Sequence, residues 1–205
     1  MPLIPDEDRK QIQKILDGMT NPVKLIHRTS DCETCADTLA LLEELVTISE
    51  LLSLEVADAE EGERVPATVV ESGGRRVQFY GIPAGYEIMS LLEAIVLLSH
   101  GESGLTPESK ALLASVTDPL HIEVLVTPTC PYCPRAVRVA FQMALENPNI
   151  TADAVEISEF PDLGQRYRVM GVPKTMVNGR DGVEGALPES AFVPMLLSAA
   201  EEVVS

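Results

Sequence analysis

The sequence predicts an α/β protein built from two similar units, each a central mixed β-sheet flanked by helices. Three observations carry this. Two Cys-x-x-Cys pairs, Cys32-Glu33-Thr34-Cys35 and Cys130-Pro131-Tyr132-Cys133, recur 98 residues apart. Each pair follows an apolar, strand-like stretch and precedes a helical pattern. Each is followed further on by a Val-Pro step, Val65-Pro66 or Val172-Pro173, and then by a short strand with a tight turn.

The elements come in the same order in both halves. A helical segment leads, over 6–19 in the first half and 107–116 in the second, where Thr106 suits the N-cap and Pro107 the first helical position. The first strands are 23–26 and 122–126. After the second cysteine pair, Ala136, Val137, Ala140, Met143 and Ala144 recur at helical spacing and form one apolar face. Leu39, Leu42, Leu45 and Val46 do the same after the first pair.

Second strands fall at 52–56 and 153–157. Third strands, 67–70 and 175–177, run into the turns Gly73-Gly74 and Asn178-Gly179. The last helices, 86–99 and 189–203, are entered through Gly81-Ile82-Pro83 and Gly185-Ala186-Leu187-Pro188. Pro66 to Pro173 spans 107 residues against 98 between the cysteine pairs, so the second copy carries its extra residues between cysteines and Val-Pro step, where loop length varies cheaply. The small polar stretch Gly101-Glu102-Ser103-Gly104 marks the boundary, which puts the units at 1–102 and 103–205.

Composition narrows the function. Acid outnumbers base by 32 to 15, a net charge of -17, which disfavours nucleic acid and anionic membranes as partners. The longest apolar stretch, around Leu91 to Leu98, contains Glu93 and is too short to span a bilayer. Residues Met1 to Asp8 have neither a basic region nor a long apolar run, so no signal peptide is expected and the cytoplasm is the expected compartment. Four cysteines are too few for a disulfide scaffold. In a reducing compartment such pairs are more often catalytic or metal-binding than structural.

Two chemistries use Cys-x-x-Cys. One is thiol–disulfide exchange, in which a thiolate at a helix N-terminus attacks and a thiol one turn along resolves the mixed disulfide. The other is a zinc site shared by two pairs. Strand, pair, amphipathic helix is the redox context, and it occurs twice; zinc binding and a non-catalytic docking role are the alternatives.

The two pairs differ. Cys130 has no acid within three positions, and Arg135 and Arg138 lie just downstream, whereas Asp31, Glu33 and Asp37 surround Cys32. Negative neighbours disfavour a thiolate. Cys130 is therefore the expected faster nucleophile, Cys133 its resolving partner, and Cys32 and Cys35 a second couple that relays electrons. A proline opening the third strand, if cis, leaves the preceding backbone free to pair with an extended substrate, so Val65, Pro66, Val172 and Pro173 are candidate substrate contacts, with Tyr132 beside them. Met170 and Met176 flank the Val172-Pro173 step, where core packing is the first expectation and lining a substrate groove the alternative, and His27, His100 and His121 are expected in surface or structural roles.

The stretches Thr127-Pro128-Thr129-Cys130-Pro131-Tyr132-Cys133-Pro134, Tyr80-Gly81-Ile82-Pro83-Ala84-Gly85-Tyr86-Glu87 and Met170-Gly171-Val172-Pro173-Lys174 resemble the protein disulfide oxidoreductases, or glutaredoxin-like proteins, of thermophilic prokaryotes. The resemblance covers essentially the whole chain. It implies two fused thioredoxin-fold units, cis conformations at Pro66 and Pro173, and Cys130 with Cys133 as the main redox pair. It implies disulfide exchange with protein substrates, as reductase and also as oxidase or isomerase, with no cofactor beyond the redox-active disulfides. It also implies electron supply by a flavin-containing, thioredoxin-reductase-like donor. The N-terminal domain of the flavoprotein component of alkyl hydroperoxide reductase is similar in plan, but lacks the first cysteine pair. Glu33-Thr34 departs from the Pro-Tyr dipeptide of glutaredoxins. Thioredoxins often carry a buried acid six residues before the first cysteine; here Ile26 and Val124 hold those places, and alternation turns Glu123 to the other face.

Overall fold

The computed structural model describes residues 4–201. The first half runs α1 (Asp6–Leu16), β1 (Val23–Thr29), α2 (Cys35–Val46), β2 (Leu52–Asp58), β3 (Ala67–Ser72), β4 (Arg75–Tyr80) and α3 (Glu87–His100). The second runs α4 (Pro107–Leu113), β5 (Leu120–Val126), α5 (Cys133–Glu146), β6 (Ile150–Glu156), α6 (Pro161–Arg166), β7 (Lys174–Val177), β8 (Arg180–Glu184) and α7 (Glu189–Glu201). The expected end of α7 at Val203 lies outside the described residues.

The strands form one 8-stranded sheet in the order β2-β1-β3-β4-β6-β5-β7-β8. In each half the first strand lies parallel to the second and antiparallel to the third, which pairs antiparallel with the fourth. The sequence predicts a sheet for each unit. The structure joins the two edge to edge, β4 running parallel to β6 with Gln78 opposite Asp153, Phe79 opposite Ala154 and Tyr80 opposite Val155. An open edge exposes unpaired backbone groups, and this pairing removes two such edges at once.

Burial explains the strands. Along β1, buried Val23, Leu25 and His27 alternate with partly exposed Lys24, Ile26 and Arg28, the pattern of a strand covered on one face. Strand β5 is buried at every position but His121, because both of its faces are covered. One face carries the main core, where Phe79 of β4 and Phe141 of α5 meet edge to face at 5.2 Å and α3 packs on α5. Truncating Phe141 to alanine would remove about 3–5 kcal/mol. The other face carries Leu125, Val155, Tyr167 and Met176 under Phe160 and Leu163. Helix α6 supplies this cover. It lies where the second copy is longer, and its six residues, opening on Pro161 and interrupted by Gly164, are too few to show a helical period.

Two hairpins follow their turn residues. Gly73 and Gly74 have φ of 58° and 75°, and Asn178 and Gly179 have 49° and 74°, the positive pair that a two-residue hairpin requires. The Thr106 hydroxyl accepts the Ser109 N–H at 3.3 Å and caps α4, with Pro107 in the first turn. Among the described residues no helix is long and apolar enough to cross a membrane.

Candidate active site

Helix α5 begins at Cys133, so Cys130, Pro131 and Tyr132 form the turn that enters it, and Pro134 sits in its first turn. Both cysteines are free thiols and both are buried. The Cys130 thiol donates to the Val172 carbonyl at 3.6 Å, and the Val172-Pro173 bond is cis. The cis turn that leads into β7 thus lies against the Cys130 sulfur. Burial pushes the Cys133 thiol well above its ordinary range, and the adjacent Cys130 adds to the rise; the Thr127 backbone opposes it. A thiol held protonated next to its partner suits a resolving cysteine, which must not compete for the first attack. Arg138 turns toward Glu93 of α3, 3.9 Å away.

Tyr132, between the two cysteines, is 69% exposed, and Met170, two residues before Val172, is 96% exposed. The core position expected for Met170 is therefore wrong: it precedes the Gly171-Val172-Pro173 turn and points outward, while Met176 on β7 is buried as expected.

A carboxyl group that sequence reasoning passed over lies under the second pair. Glu87, the first residue of α3, is 2% exposed, and neither carboxylate oxygen has a hydrogen-bond partner. Burial raises its pKa to about 7; Ser90, one turn along, works weakly against this, and the charge of Glu156 adds to it. Its own charge reaches Cys133 and raises that thiol further. The search along the strand before the cysteines could not find it, because it comes from the other half of the chain. It closes the Tyr80-to-Glu87 stretch, which docks on the loop before Cys130: Tyr86 N–H donates to the Pro128 carbonyl at 2.9 Å. Gly85, at φ +58°, permits this approach, since a Cβ there would lie 2.2 Å from the Pro128 oxygen.

The first pair is a disulfide between Cys32 and Cys35, with Cys35 opening α2. Cys32 is half-buried and Cys35 buried, while the acids Asp31, Glu33 and Asp37 are exposed. The Val65-Pro66 bond is cis, Val65 is half-buried and Pro66 buried. Thr34, between the cysteines, donates its hydroxyl to Glu159 of the second half, whose other oxygen accepts the Ile82 N–H at 2.7 Å. Gly81 beside it approaches so closely that a Cβ would lie 2.7 Å from Glu156 Cβ and 2.8 Å from Glu159 Oε1. The two sites are thus tied through Glu159 and the segment leading to Glu87.

The three histidines sit in three different settings. His27 is fully buried on β1, with the Cys35 and Ala67 backbones beside its ring. His100, by contrast, is exposed and bonds the Gly18 carbonyl at 2.6 Å. His121 is half-buried and meets Asp153 at 2.6 Å, which raises its pKa. Glu123 does turn to the other face of β5, where it is buried between Arg64, at 3.1 Å, and the Tyr167 hydroxyl, at 3.1 Å. Arg64 in turn lies 4.6 Å over the Tyr80 ring. Among the described residues no group of three or more His, Cys, Asp or Glu is gathered to hold a metal.

Residues 120–198 match the family model of the thioredoxin domain. The crystal structure of a protein disulfide oxidoreductase from Aeropyrum pernix K1 is 38% identical, with a TM-score of 0.89 over 97% of this chain and 94% of that one. This chain belongs to the protein disulfide oxidoreductases. It is an enzyme of dithiol–disulfide exchange, with a thioredoxin fold. The alkyl hydroperoxide reductase AhpF of Enterococcus faecalis, 25% identical, superposes with a TM-score of 0.85 over 94% of this chain and 98% of that chain. Among curated relatives, an NADH dehydrogenase of Bacillus subtilis is 26% identical over 181 residues, and the AhpF protein of Xanthomonas campestris pv. phaseoli is 27% identical over 190. These cover 87% and 92% of this oxidoreductase, which spans only 35% and 36% of their own lengths.

Proposed function

We propose that the protein exchanges disulfides with protein substrates, chiefly as a reductase, and that Cys130 and Cys133 are its dominant site. The observation that carries this reading is the Cys130 thiol aimed at the Val172 carbonyl, with the raised, buried Cys133 thiol behind it. Cys130 attacks a substrate disulfide and one substrate sulfur leaves. The resulting mixed disulfide holds the substrate along Val172 and Pro173, with Tyr132 and Met170 exposed at the rim. Cys133 then loses its proton to Glu87 and attacks Cys130, which releases the second substrate thiolate and leaves the Cys130–Cys133 disulfide. A carboxyl with a pKa of about 7 suits this transfer, since acceptor and donor states are both populated near neutral pH.

Cys32 and Cys35 serve as the second couple, with Val65 and Pro66 beside them, and pass electrons to the first. A flavin-containing, thioredoxin-reductase-like protein supplies the electrons. The curated name NADH dehydrogenase for a longer relative supports a nicotinamide-linked source. The test is insulin reduction by dithiothreitol, followed by turbidity, with the Cys133→Ser protein mixed with an oxidised protein substrate in parallel. Acceleration by the wild type, and a trapped mixed disulfide mapping to Cys130, support the reading. No acceleration, or a disulfide trapped at Cys32 alone, counts against it.

A further inference from the structure

The first cysteine pair needs its own proton acceptor, and the carboxyl under the second pair does not provide one. Resolution at any such site requires a buried thiol to ionise where a charge is poorly solvated. For Cys35 the surroundings supply no carboxylate at its own strand: the residue six positions before Cys32 is Ile26, which lies on the partly exposed face of β1.

The sheet register shows what replaces it. Thr68 and Thr175 each stand two residues after the cis proline of their half. Thr175 pairs with Val124 on β5, but Thr68 pairs with His27 on β1. His27 is thus the counterpart of Val124, shifted by one position because the chain from β1 to Cys32 is one residue shorter. Counting back six residues from Cys32 misses it for that reason.

His27 is 0% exposed, and neither ring nitrogen has a hydrogen-bond partner; the Thr68 hydroxyl, opposite on the same face, is also buried without one. Buried imidazole nitrogens are normally paired, so an unpaired ring needs a reason. Burial lowers its pKa, with the Cys35 and Ala67 backbones acting in the other direction, so the ring is neutral at pH 7. Its cross-strand partners, Val56 and Thr68, carry no charge. Arg28 points to the opposite face, where Glu63 holds it at 3.2 Å, and Asp37 of α2 is exposed. The Cys35 backbone lies beside the ring, which brings the first turn of α2, and with it the resolving cysteine, to this end of β1.

We propose that His27 is the proton acceptor of the Cys32–Cys35 site. In the resolving step the Cys35 S–H proton passes to His27, and the Cys35 thiolate attacks Cys32 of the mixed disulfide. The Cys32–substrate S–S bond breaks as the Cys32–Cys35 bond forms. The departing substrate thiolate is protonated, and the imidazolium returns its proton to solvent or to that thiolate. The substrate disulfide gains two electrons and the pair loses two. The two sites would then differ in kind: an imidazole that becomes charged on accepting the proton serves the first, and a carboxylate that becomes neutral serves the second.

This rests on the reading that Cys32 and Cys35 are a redox couple, and the experiment separates the two. The full chain carrying Cys130→Ser and Cys133→Ser is reduced, mixed with a peptide disulfide, quenched with acid and analysed by mass. If this parent forms neither mixed nor internal disulfide, the couple itself is refuted. If it exchanges, His27→Val, the residue type of its counterpart, is compared with it. The expected result is a mixed disulfide at Cys32 that forms at the parent's rate but resolves at least about tenfold more slowly at pH 7, within the range of general-base effects. The deficit should shrink as pH rises, because hydroxide then takes over the deprotonation. Resolution within twofold of the parent at pH 7 would overturn the proposal. A second readout needs no variant: by NMR, the His27 ring should titrate differently with the first pair oxidised and reduced, and an identical titration in both states would also overturn it.

Discussion

Replacing Glu87 by Gln tests the carboxyl beneath the second pair through two readouts that should move in opposite directions. Burial raises this group from 4.5 to about 7, so the folded state binds a proton more tightly than the unfolded chain does. The stability from that proton is present below the unfolded value and is lost as pH rises through about 7. Between pH 5 and pH 8 the loss amounts to about 2.5 kcal/mol. Glutamine does not titrate and has nearly the same shape. The stability of Glu87→Gln relative to the wild type should therefore improve by about 2.5 kcal/mol from pH 5 to pH 8, roughly 6 °C in melting temperature for a chain of this size. The assay is thermal unfolding of the reduced proteins by circular dichroism at both pH values. In the same variant, resolution by Cys133 at pH 7 should slow by about tenfold or more, while attack by Cys130 persists. A stability difference that is the same at pH 5 and pH 8 would refute the buried-charge reasoning, and unchanged resolution would refute the proton-acceptor role.

Three further outcomes follow from the contacts around the sites. Gly85→Ala places a Cβ 2.2 Å from the Pro128 oxygen at a positive φ, so it should destabilise the protein by about 2 kcal/mol or more and change Cys130 alkylation, measured by denaturant unfolding and iodoacetamide trapping. Arg64→Ala leaves the buried Glu123 carboxylate without its cation and should lower stability by roughly 3 kcal/mol at pH 7, with Glu123→Gln in the same background recovering part of the loss. Glu159→Ala releases Thr34 and the Ile82 N–H and removes a negative charge near the first pair, so alkylation of reduced Cys32 at pH 7 should rise a few-fold while Cys130 stays unchanged.

The repeat made most of the fold legible. Cysteine pair, Val-Pro step and turn residues all carry local signals, and their offsets located the extra length of the second copy. Helix α6 was not legible, because its six residues cannot show a period. Nor was the joining of β4 to β6, since nothing local distinguishes an edge strand that meets solvent from one that meets another sheet. At the sites, the cysteines and Val-Pro steps were visible because their chemistry is written in adjacent residues. Glu87 and His27 were not. Glu87 reaches its cysteine across the two halves, and His27 is displaced one position from where spacing alone looks for it, a shift only the pairing of Thr68 with His27 reveals. Met170 was misplaced because apolar character in a turn does not decide exposure.

Dominance of the second pair in exchange with substrates is decided by turnover of proteins from which one pair has been removed. Insulin reduction is measured for the wild type, for Cys32→Ser with Cys35→Ser, and for Cys130→Ser with Cys133→Ser, all with dithiothreitol as donor. The first double variant should keep most of the wild-type rate, and the second should lose most of it. Equal loss in both, or greater loss on removing Cys32 and Cys35, would contradict that dominance.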